Sequence, residues 1–341
     1  MEILDLYGIS LELYKINNLM RKTMNTKELV TVVVTLYNKE DYIEHCLKSI
    51  QNQSYENLEV IVINDGSTDN SLSKARRIEK NDSRFRVIDK ENGGVSSARN
   101  YGIKLAHGQK MIFIDGDDYV DKDYVSNLMK YSNCDLVISG FYEVVNDQKI
   151  KKSISQDALL KADKFREYIF NGNHYSYFVI VWNKLFQTNI IKDNNLSYEN
   201  IVMGEDADFV FKYLAHCQKI KIISQADYYN VIVPNTLSRK KTTKLWQHNL
   251  EVIESAIKYL YPTEKEQNFL IMHSVKITLG GNCDNYSDFR SVLKEIIKSS
   301  EFKKVNLNNI TEKKDAMIYI AIKLRQIKLL QKMFQIRIGM H

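Results

Sequence analysis

Three carboxylates follow a short apolar stretch of the chain. Met111-Ile112-Phe113-Ile114 runs directly into Asp115-Gly116-Asp117-Asp118. The apolar residues are β-branched or aromatic types that predict a buried strand. Acids clustered at a strand end repel one another and lose hydration unless a cation is bound there. Carboxylates are hard ligands for Mg²⁺ or Mn²⁺, ions that commonly bridge to a substrate's phosphates. The alternative is an acidic turn in which Asp117 or Asp118 caps the next helix.

The sequence around this stretch predicts alternating strands and helices. Strands are predicted at residues 29–35, 58–63, 85–89, 111–114 and 135–141, with helices at 42–50, 70–81 and 95–105. The first strand is continuously apolar, as in strands buried on both faces of a parallel sheet. The alternation indicates βαβ units and a doubly wound α/β sheet. Ligands bind such sheets beyond the carboxyl ends of the strands, where the three acids are expected to lie.

Other polar residues are predicted at the same edge of the sheet. The segment from Thr35 to Tyr37 leaves the first strand, where Tyr37 could stack on a base or be a buried aromatic. Asp65 ends the second strand and could accept a hydrogen bond from an imide N–H such as uracil N3, which cytosine lacks. It could equally cap the following helix. Gly94 and Arg99 begin a helix whose N–H groups, with the cation, would attract anions. A loop and a cap are the ordinary interpretation of paired glycines.

Two later motifs also carry candidate chemistry. Glu205 and Asp206 begin a predicted helix at 207–217, where acids suit the helix dipole, but Asp206 could also act as a general base. Trp182 lies in an aromatic run at 177–186 that could line a sugar-binding surface or form a packed core. Further along, a helix is predicted at 158–170, a strand at 219–223, and only helices beyond Pro234, notably at 245–260 and 316–338.

Composition limits the class of protein. The chain has 341 residues, 44% hydrophobic and 26% charged, with a net charge of +6. The four cysteines are widely spaced, which predicts buried thiols rather than disulfides or a zinc site. No signal peptide and no apolar run of membrane-spanning length is recognised. We therefore expect a cytoplasmic protein, in contact with the inner membrane face at most.

The end of the chain is basic. Seven Lys and Arg residues lie between Lys313 and Arg337, interleaved with Ile, Leu, Met and Phe. Such a helix can lie on anionic lipid or pack into a homo-oligomer, and a solvated outer helix is the plain alternative. Because the basic residues concentrate here rather than on the core, a nucleic-acid partner is not expected.

Taken together, the motifs form an ordered series. They are Thr-Leu-Tyr-Asn, Asp-Gly-Ser-Thr-Asp, Asn-Gly-Gly-Val-Ser-Ser-Ala-Arg-Asn, Asp-Gly-Asp-Asp, Trp-Asn-Lys-Leu-Phe and Gly-Glu-Asp. In this series the sequence closely resembles the family 2 inverting glycosyltransferases, which have the GT-A fold, over residues 29–235. The combination is highly specific. Thr35 stands where many members of the family carry Pro, which still permits a backbone contact.

The resemblance implies a role for each motif. The segment from Thr35 to Tyr37 and Asp65 would hold the nucleotide's base, with Gly94 and Arg99 nearby. Asp115 would face the ribose and Asp117 would bind the metal ion, with Asp118 in support. Asp206 would be the catalytic base, and Trp182 and Glu205 would lie on the acceptor side.

The implied fold is a GT-A, Rossmann-like core with a C-terminal helical region. It divides into an extension (1–28), a nucleotide-sugar-binding half (29–145), an acceptor-binding half (146–235) and C-terminal helices (236–341). The implied reaction moves a hexose or N-acetylhexosamine from a UDP-sugar, with Mn²⁺ or Mg²⁺, to a hydroxyl of a glycan, lipid-linked or glycoprotein acceptor, as in bacterial polysaccharide biosynthesis. A nucleotidyltransferase and a non-catalytic nucleotide-sugar-binding protein are the alternatives.

Overall fold

The computed structural model describes residues 27–170, 174–201, 203–233 and 244–338. Within them the strands are β1 (Val30–Leu36), β2 (Leu58–Asp65), β3 (Phe85–Lys90), β4 (Lys110–Asp115), β5 (Tyr119–Val120), β6 (Leu136–Val145), β7 (Gln148–Lys152), β8 (Ala158–Lys161), β9 (Lys184–Gln187) and β10 (Lys219–Val231). The extension of residues 1–28, whose loosely spaced apolar residues predict an amphipathic helix, lies outside the described residues apart from its last two positions.

The described helices precede, connect and follow these strands. They are α1 (Ile43–Gln51), α2 (Ser71–Asn81), α3 (Val95–Leu105), α4 (Tyr124–Met129), α5 (Ala162–Ile169), α6 (Tyr175–Val179), α7 (Thr188–Asp193), α8 (Glu205–Leu214), α9 (Leu245–Leu260), α10 (Glu264–Gly281), α11 (Tyr286–Lys298), α12 (Ser300–Lys304), α13 (Lys313–Lys323) and α14 (Ile327–Ile338). The predicted α/β core with C-terminal helices is confirmed.

The strands form one mixed sheet. Its order is β3-β2-β1-β4-β9-β6-β10-β5, with β7 beside β6 and β8 beside β10. The first four strands are parallel, whereas β9 runs antiparallel to both β4 and β6. Parallel pairing brings the carboxyl ends of β1, β2 and β4 to one edge. Thr35 is paired with Asp115 there.

Close packing of α3 on the sheet positions the N-terminal half. Val33 of β1 is fully buried beneath the helix. A Cβ built on Gly102 of α3 would lie 2.3 Å from Val33 Cγ1, so only glycine allows this approach. The α3 residues Ala98 and Arg99 are buried on the inward side of the helix. The glycine therefore brings the Arg99 side chain to the sheet edge.

Two predicted helices were partly wrong. Residues 158–161 form β8, which pairs antiparallel with residues 219–222 of β10, so sheet pairing overrides a helical pattern that continues into α5. The helix predicted at 316–338 is divided into α13 and α14, because Arg325 adopts a left-handed backbone with φ of 56°. The aromatic run 177–186 contains the end of α6 and the start of β9.

The C-terminal helices pack onto the core through α9. Trp246 and Ile253 of α9 are buried, and Ser255 Oγ donates a 2.6 Å hydrogen bond to Asp208 Oδ1 of α8. No helix in the described part of the chain is both long and apolar enough to span a bilayer. All four cysteines are buried, as predicted.

Candidate active site

Asp115 ends β4 and is held from two sides. Its Oδ1 accepts hydrogen bonds from Thr35 Oγ1 at 2.9 Å and from Arg99 Nη2 at 3.2 Å. The Thr35 bond follows from the parallel pairing of β1 with β4. Asp115 is partly exposed, with 29% of its side chain accessible. One carboxylate oxygen is thus occupied and the other is available to a ligand in the crevice.

Asp117 lies two residues further and forms an ion pair with Lys39. The Lys39 Nζ contacts Asp117 Oδ2, and both side chains are largely buried. Burial and the neighbouring charge of Asp115 raise the pKa of Asp117, and the Lys39 ammonium opposes this shift. A second cation of higher charge would therefore further stabilise the ionised form of the Asp117 carboxylate.

Asp118 turns away from the crevice into the core. It accepts hydrogen bonds from Tyr228 Oη at 2.6 Å and from the Val231 backbone N–H at 2.8 Å. Burial, together with the nearby acids, raises its pKa well above the ordinary range. Trp182 stacks on the Tyr228 ring with centroids 4.5 Å apart and is only 7% exposed. These contacts place Asp118 and Trp182 behind the crevice, supporting its floor.

Arg99 connects this cluster to Asp206. The guanidinium is 3% exposed, and its Nη1 donates to Asp206 Oδ1 at 2.5 Å. It also lies over the ring of Tyr198, 5.3 Å from the centroid. Asp115 and Asp206, which lie far apart in the chain, therefore share one buried cation.

Helix α8 positions Asp206 and Glu205. Its N-cap, Gly204, has φ of 93°, a left-handed conformation that favours glycine. Burial raises the pKa of Asp206, and the Arg99 charge opposes that rise. Burial and the charge of Asp206 raise the pKa of Glu205 to about 7. The helix N-terminus thus presents two neighbouring carboxyls whose proton affinity is higher than that of free side chains.

Asp65 organises the loop before α3. Its Oδ1 and Oδ2 accept hydrogen bonds from the backbone N–H groups of Gly93 at 3.0 Å and Gly94 at 2.8 Å. Lys90 Nζ also donates to Oδ1. The amides predicted to attract a ligand anion are therefore engaged by a carboxylate of the chain itself. An Asp carboxylate accepts about four hydrogen bonds, so Asp65 retains capacity for one more.

The structure thus brings most predicted site residues together at the sheet edge. Asp115, Asp117, Arg99, Thr35 and Asp206 form one cluster. Asp65, at the end of β2, contacts Gly94, which lies in the adjoining loop between β3 and α3. Tyr37 lies beyond the end of β1 and is 44% exposed. That its ring stacks on a base stays a prediction. Glu205 lies 3.8 Å from Arg99 Nη1 at its Oε1.

Four residues of the site escaped sequence reasoning. Lys39, Tyr198 and Tyr228 belong to loops or strands whose partners only the fold reveals. Lys184 was visible as a cation within the apolar Trp-Asn-Lys-Leu-Phe run. It is fully buried in β9, and its one charged partner among the described residues that affects its pKa is Asp206.

The carboxylates of the described site fit a divalent cation only when a bound ligand supplies part of the ion's coordination shell. No group of three or more His, Cys, Asp or Glu residues in the described ranges could hold a metal ion alone. Asp117, however, already binds the Lys39 ammonium, so its carboxylate is oriented toward a cation. Mg²⁺-type ions often take one or two carboxylates and complete their shell with phosphate and water. The residues fit a cation that is bound jointly with a phosphorylated ligand.

A groove adjoins the cluster along α3. It has a volume of about 490 Å³ and is lined by Gly93, Ser97, Asn100 and Tyr198 among others. Asn100 fixes one wall, donating to the Tyr198 carbonyl and accepting from the Tyr198 N–H, both at 2.8 Å. The groove runs between the loop before α3, which Asp65 contacts, and the Tyr198 ring, which lies over Arg99.

Comparison with known proteins agrees with this geometry. The family model described as Glycosyl transferase family 2 matches residues 31–195. Two Bacillus subtilis proteins named as glycosyltransferases are similar to the chain. EpsJ is 32% identical over 62% of this chain and 63% of its own length, and EpsH is 30% identical over 72% and 75%. The chain thus spans slightly less than two thirds of EpsJ.

A solved structure shares the fold. The S. aureus TarS 1–349 complex with UDP-GlcNAc superimposes with a TM-score of 0.69 at 19% identity, covering 91% of this chain and 92% of the other. The likeness extends over the C-terminal helices as well as the mixed sheet. At this identity the comparison establishes the fold.

Proposed function

Because the chain belongs to glycosyltransferase family 2, with the GT-A fold, we propose that it moves a hexose or N-acetylhexosamine from a UDP-sugar to an acceptor hydroxyl with inversion. The observation that carries this proposal is the Arg99 guanidinium, bound to both Asp115 and Asp206. It joins a carboxylate at the donor-side strand end to a carboxylate suited to proton transfer. The likeness to a protein crystallised with UDP-GlcNAc supports a uridine diphosphate donor.

The donor's nucleotide would bind above β1 and β2. Tyr37 is exposed for stacking on the base, and Asp65 can accept the uracil N3–H with its remaining lone pair. Asp115, held by Thr35 and Arg99, offers its free oxygen to a ribose hydroxyl. Each contact lies at the carboxyl edge of the parallel strands, where such sheets bind ligands.

Asp117 would hold Mn²⁺ or Mg²⁺ together with the diphosphate. When bound, such an ion supplies positive charge to the leaving group. Lys39 already provides a positive charge beside Asp117. Its ammonium reaches the same diphosphate oxygens only if the ion pair with Asp117 opens. Asp118 acts indirectly by fixing the turn through Tyr228 and Val231.

Asp206 would be the general base. Its Oδ1 is bound to Arg99, which leaves Oδ2 to take the proton of the acceptor hydroxyl. The acceptor oxygen, as it loses its proton to Asp206, attacks the anomeric carbon from the side opposite UDP. The bond to UDP breaks at the same time, so the configuration at this carbon inverts. The raised pKa of Asp206 suits this role because a base works best near the operating pH. Glu205 is assigned to the acceptor side, and Trp182, which stacks on Tyr228 behind the crevice, would support that side from below.

A panel of UDP-sugars tests the proposed reaction. UDP release should occur with one or a few donors and depend on Mn²⁺ or Mg²⁺. Release of pyrophosphate instead of UDP would indicate a nucleotidyltransferase. Binding of UDP without any turnover over the whole panel, with glycan and lipid-linked acceptors present, would indicate a nucleotide-sugar-binding protein.

The C-terminal helices provide a surface for a peripheral membrane contact. Met317 and Ile320 of α13, with Leu324 at its C-cap, form an exposed apolar stripe at helical spacing, and Ile320 is the least exposed of them at 42%. Lys314 and Lys323 flank the stripe on the helix, whereas the single acid of α13, Asp315, is buried against Lys276. Apolar residues bordered by lysines are typical of helices that lie on anionic lipid.

Vesicle sedimentation tests this surface. The full chain should pellet with phosphatidylglycerol vesicles but not with phosphatidylcholine vesicles, and Ile320→Asp should abolish pelleting. Leu159→Asp, at an exposed apolar position of β8, is the control. A dimer in light scattering that Ile320→Asp converts to monomer would indicate a homo-oligomer contact instead.

A further inference from the structure

The Arg99 guanidinium is hydrogen-bonded to groups that a substrate would also engage. Its Nη1 bonds to Asp206 and its Nη2 to Asp115, the proposed base and the proposed ribose ligand. Its buried Nε has no hydrogen-bond partner among the described residues. A guanidinium held by these carboxylates alone would shift whenever a ligand drew on either of them. A contact that is independent of the carboxylates would keep it in place.

The ring of Tyr198 supplies such a contact. The guanidinium carbon of Arg99 lies 5.3 Å from the ring centroid, and Tyr198 is 3% exposed. A cation over an aromatic face is attracted by the ring's electrons, and the attraction is stronger where water is excluded. The phenol oxygen of Tyr198 has no hydrogen-bond partner in the part of the chain that the structure describes. The contact with Arg99 therefore depends on the ring rather than on the hydroxyl.

The same ring is packed against the two elements that carry the carboxylates. It stacks on Phe209 of α8 with centroids 4.2 Å apart and planes at 1°. Phe209 lies three residues after Asp206, which places the two on the same side of the helix. The ring also meets the Phe113 ring of β4 edge-on at 5.8 Å, two residues before Asp115. Tyr198 thus lies where α8, β4 and the guanidinium meet.

The backbone of Tyr198 is fixed to α3 at the residue after Arg99. Asn100 Nδ2 donates to the Tyr198 carbonyl, and the Tyr198 N–H donates to Asn100 Oδ1, both at 2.8 Å. On the other side, Lys212 Nζ of α8 donates to Glu199 Oε1 at 3.0 Å. The position of the ring relative to Arg99 is therefore set by contacts within the protein and needs no bound substrate.

We propose that Tyr198 is a positioning residue for Arg99, its ring holding the guanidinium where it bonds Asp115 and Asp206 together. The inference rests on the proposed role of Asp206 as general base. Tyr198 acts on the reaction through Arg99, so its effect falls mainly on Asp206. Asp115 is less dependent on it, because Thr35 Oγ1 also donates to Asp115, at 2.9 Å.

The test compares Tyr198→Leu with Tyr198→Phe in UDP-sugar turnover and in affinity for UDP with Mn²⁺. The leucine variant loses the ring, and kcat should fall about ten- to a hundredfold because a small displacement of the catalytic geometry is enough. Its UDP affinity should stay within about threefold of the wild-type chain, since Thr35 still holds Asp115. The phenylalanine variant keeps a ring that attracts cations, so its kcat should stay within about threefold of the wild-type value. Tyr198→Met serves if the leucine variant does not fold.

A double-mutant cycle separates positioning of Arg99 from a general structural role. In an Arg99→Met background there is no guanidinium to hold, so adding Tyr198→Leu should lower kcat by less than about threefold. If the two losses multiply instead, the ring acts by another route and the inference is overturned. The comparison of leucine with phenylalanine at position 198 stands by itself if Arg99→Met does not fold.

Phe186→Leu is the matched control. Phe186 is fully buried in β9 and belongs to the same aromatic cluster, with its ring 5.9 Å from Phe209 and 5.7 Å from Phe113. Among the described residues no cation lies over its ring. Its substitution should lower stability without a comparable loss of kcat. A kcat loss in Tyr198→Phe or Phe186→Leu equal to that in Tyr198→Leu, or unchanged kcat in folded Tyr198→Leu, would overturn the inference. Full transfer by Asp206→Asn would instead overturn the proposed base.

Discussion

Arg99 Nη1 donates to Asp206 Oδ1 at 2.5 Å, and this contact joins the two halves of the site. Arg99 belongs to α3, which packs on the parallel N-terminal half of the sheet. Asp206 lies in the first turn of α8, which follows β9 in the chain. Since Nη2 of the same guanidinium binds Asp115, a planar, rigid group sets the distance between the Asp115 and Asp206 carboxylates. The site's geometry follows from this single buried cation.

Arg99→Lys should damage both stability and transfer. Lysine keeps the positive charge but lacks the planar fork that bonds both carboxylates at once, so Asp115 and Asp206 would lose their shared contact. Breaking a buried charge network costs about 3–5 kcal/mol, measurable by urea unfolding. The control is Arg84→Lys, which alters the more exposed ion pair with Asp82 and should cost less than about 1 kcal/mol. Equal stability of the two variants would contradict the role of Arg99.

Asp117→Asn and Asp118→Asn should have different consequences. The Asp117 variant should lose Mn²⁺-dependent UDP binding, because its carboxylate faces the crevice beside Lys39. The Asp118 variant should retain metal-dependent binding and lose stability instead, since Asp118 accepts from Tyr228 and Val231 in the core. Calorimetric titration of UDP with and without Mn²⁺ separates them. Metal dependence lost only in Asp118→Asn would reverse the assignment.

Lys39→Met should increase the affinity of the Asp117 site for Mn²⁺. In the structure the Lys39 ammonium occupies one oxygen of the carboxylate, so a metal ion has to compete with it. Removal of a partly buried ion pair worth about 1 kcal/mol should lower the Mn²⁺ concentration for half-maximal UDP binding about fivefold. A higher Mn²⁺ requirement would show that Lys39 assists the metal rather than competing with it. Lys74→Met, at a lysine that donates to the Glu40 carbonyl in the same region, is the control.

The rate of transfer should fall as the pH drops through the raised pKa of Asp206. The base has to be ionised, and the Glu205–Asp206 pair has raised pKa values, that of Glu205 to about 7. Protonation on the acidic side therefore removes the base. Glu205→Gln eliminates one of the two like charges and should move the acidic limb of kcat/KM to lower pH. A limb unchanged in this variant would mean that Glu205 does not influence the base.

The sequence predicted the strand ends better than the contacts made there. Continuous apolar runs located β1, β2 and β4, and parallel pairing then required Thr35, Asp65 and Asp115 to lie on one edge. Helix α3 was predicted with the observed bounds, because Gly94 and the apolar period mark it clearly. What could not be predicted was the direction of its Arg99 side chain, which depends on a close approach permitted by Gly102.

Other features depended on tertiary pairing. The pattern at 158–161 matched a helix, yet the segment pairs with β10, and no local signal distinguishes the two. Asp117 and Asp118 are adjacent and chemically identical, but Tyr228, 110 residues beyond Asp118, draws one of them into the core. The roles of these side chains and the division of the chain into four segments stay predictions.

The most direct test is UDP release by Asp206→Asn, measured beside its affinity for UDP with Mn²⁺. Asparagine fits the same space and keeps one oxygen for Arg99, but it cannot take a proton. A positioned base contributes about 10²–10⁴-fold, so turnover should fall by that factor while UDP affinity stays within about threefold of the wild-type chain. Near-normal turnover in the folded variant would contradict the assignment of Asp206 as the catalytic base.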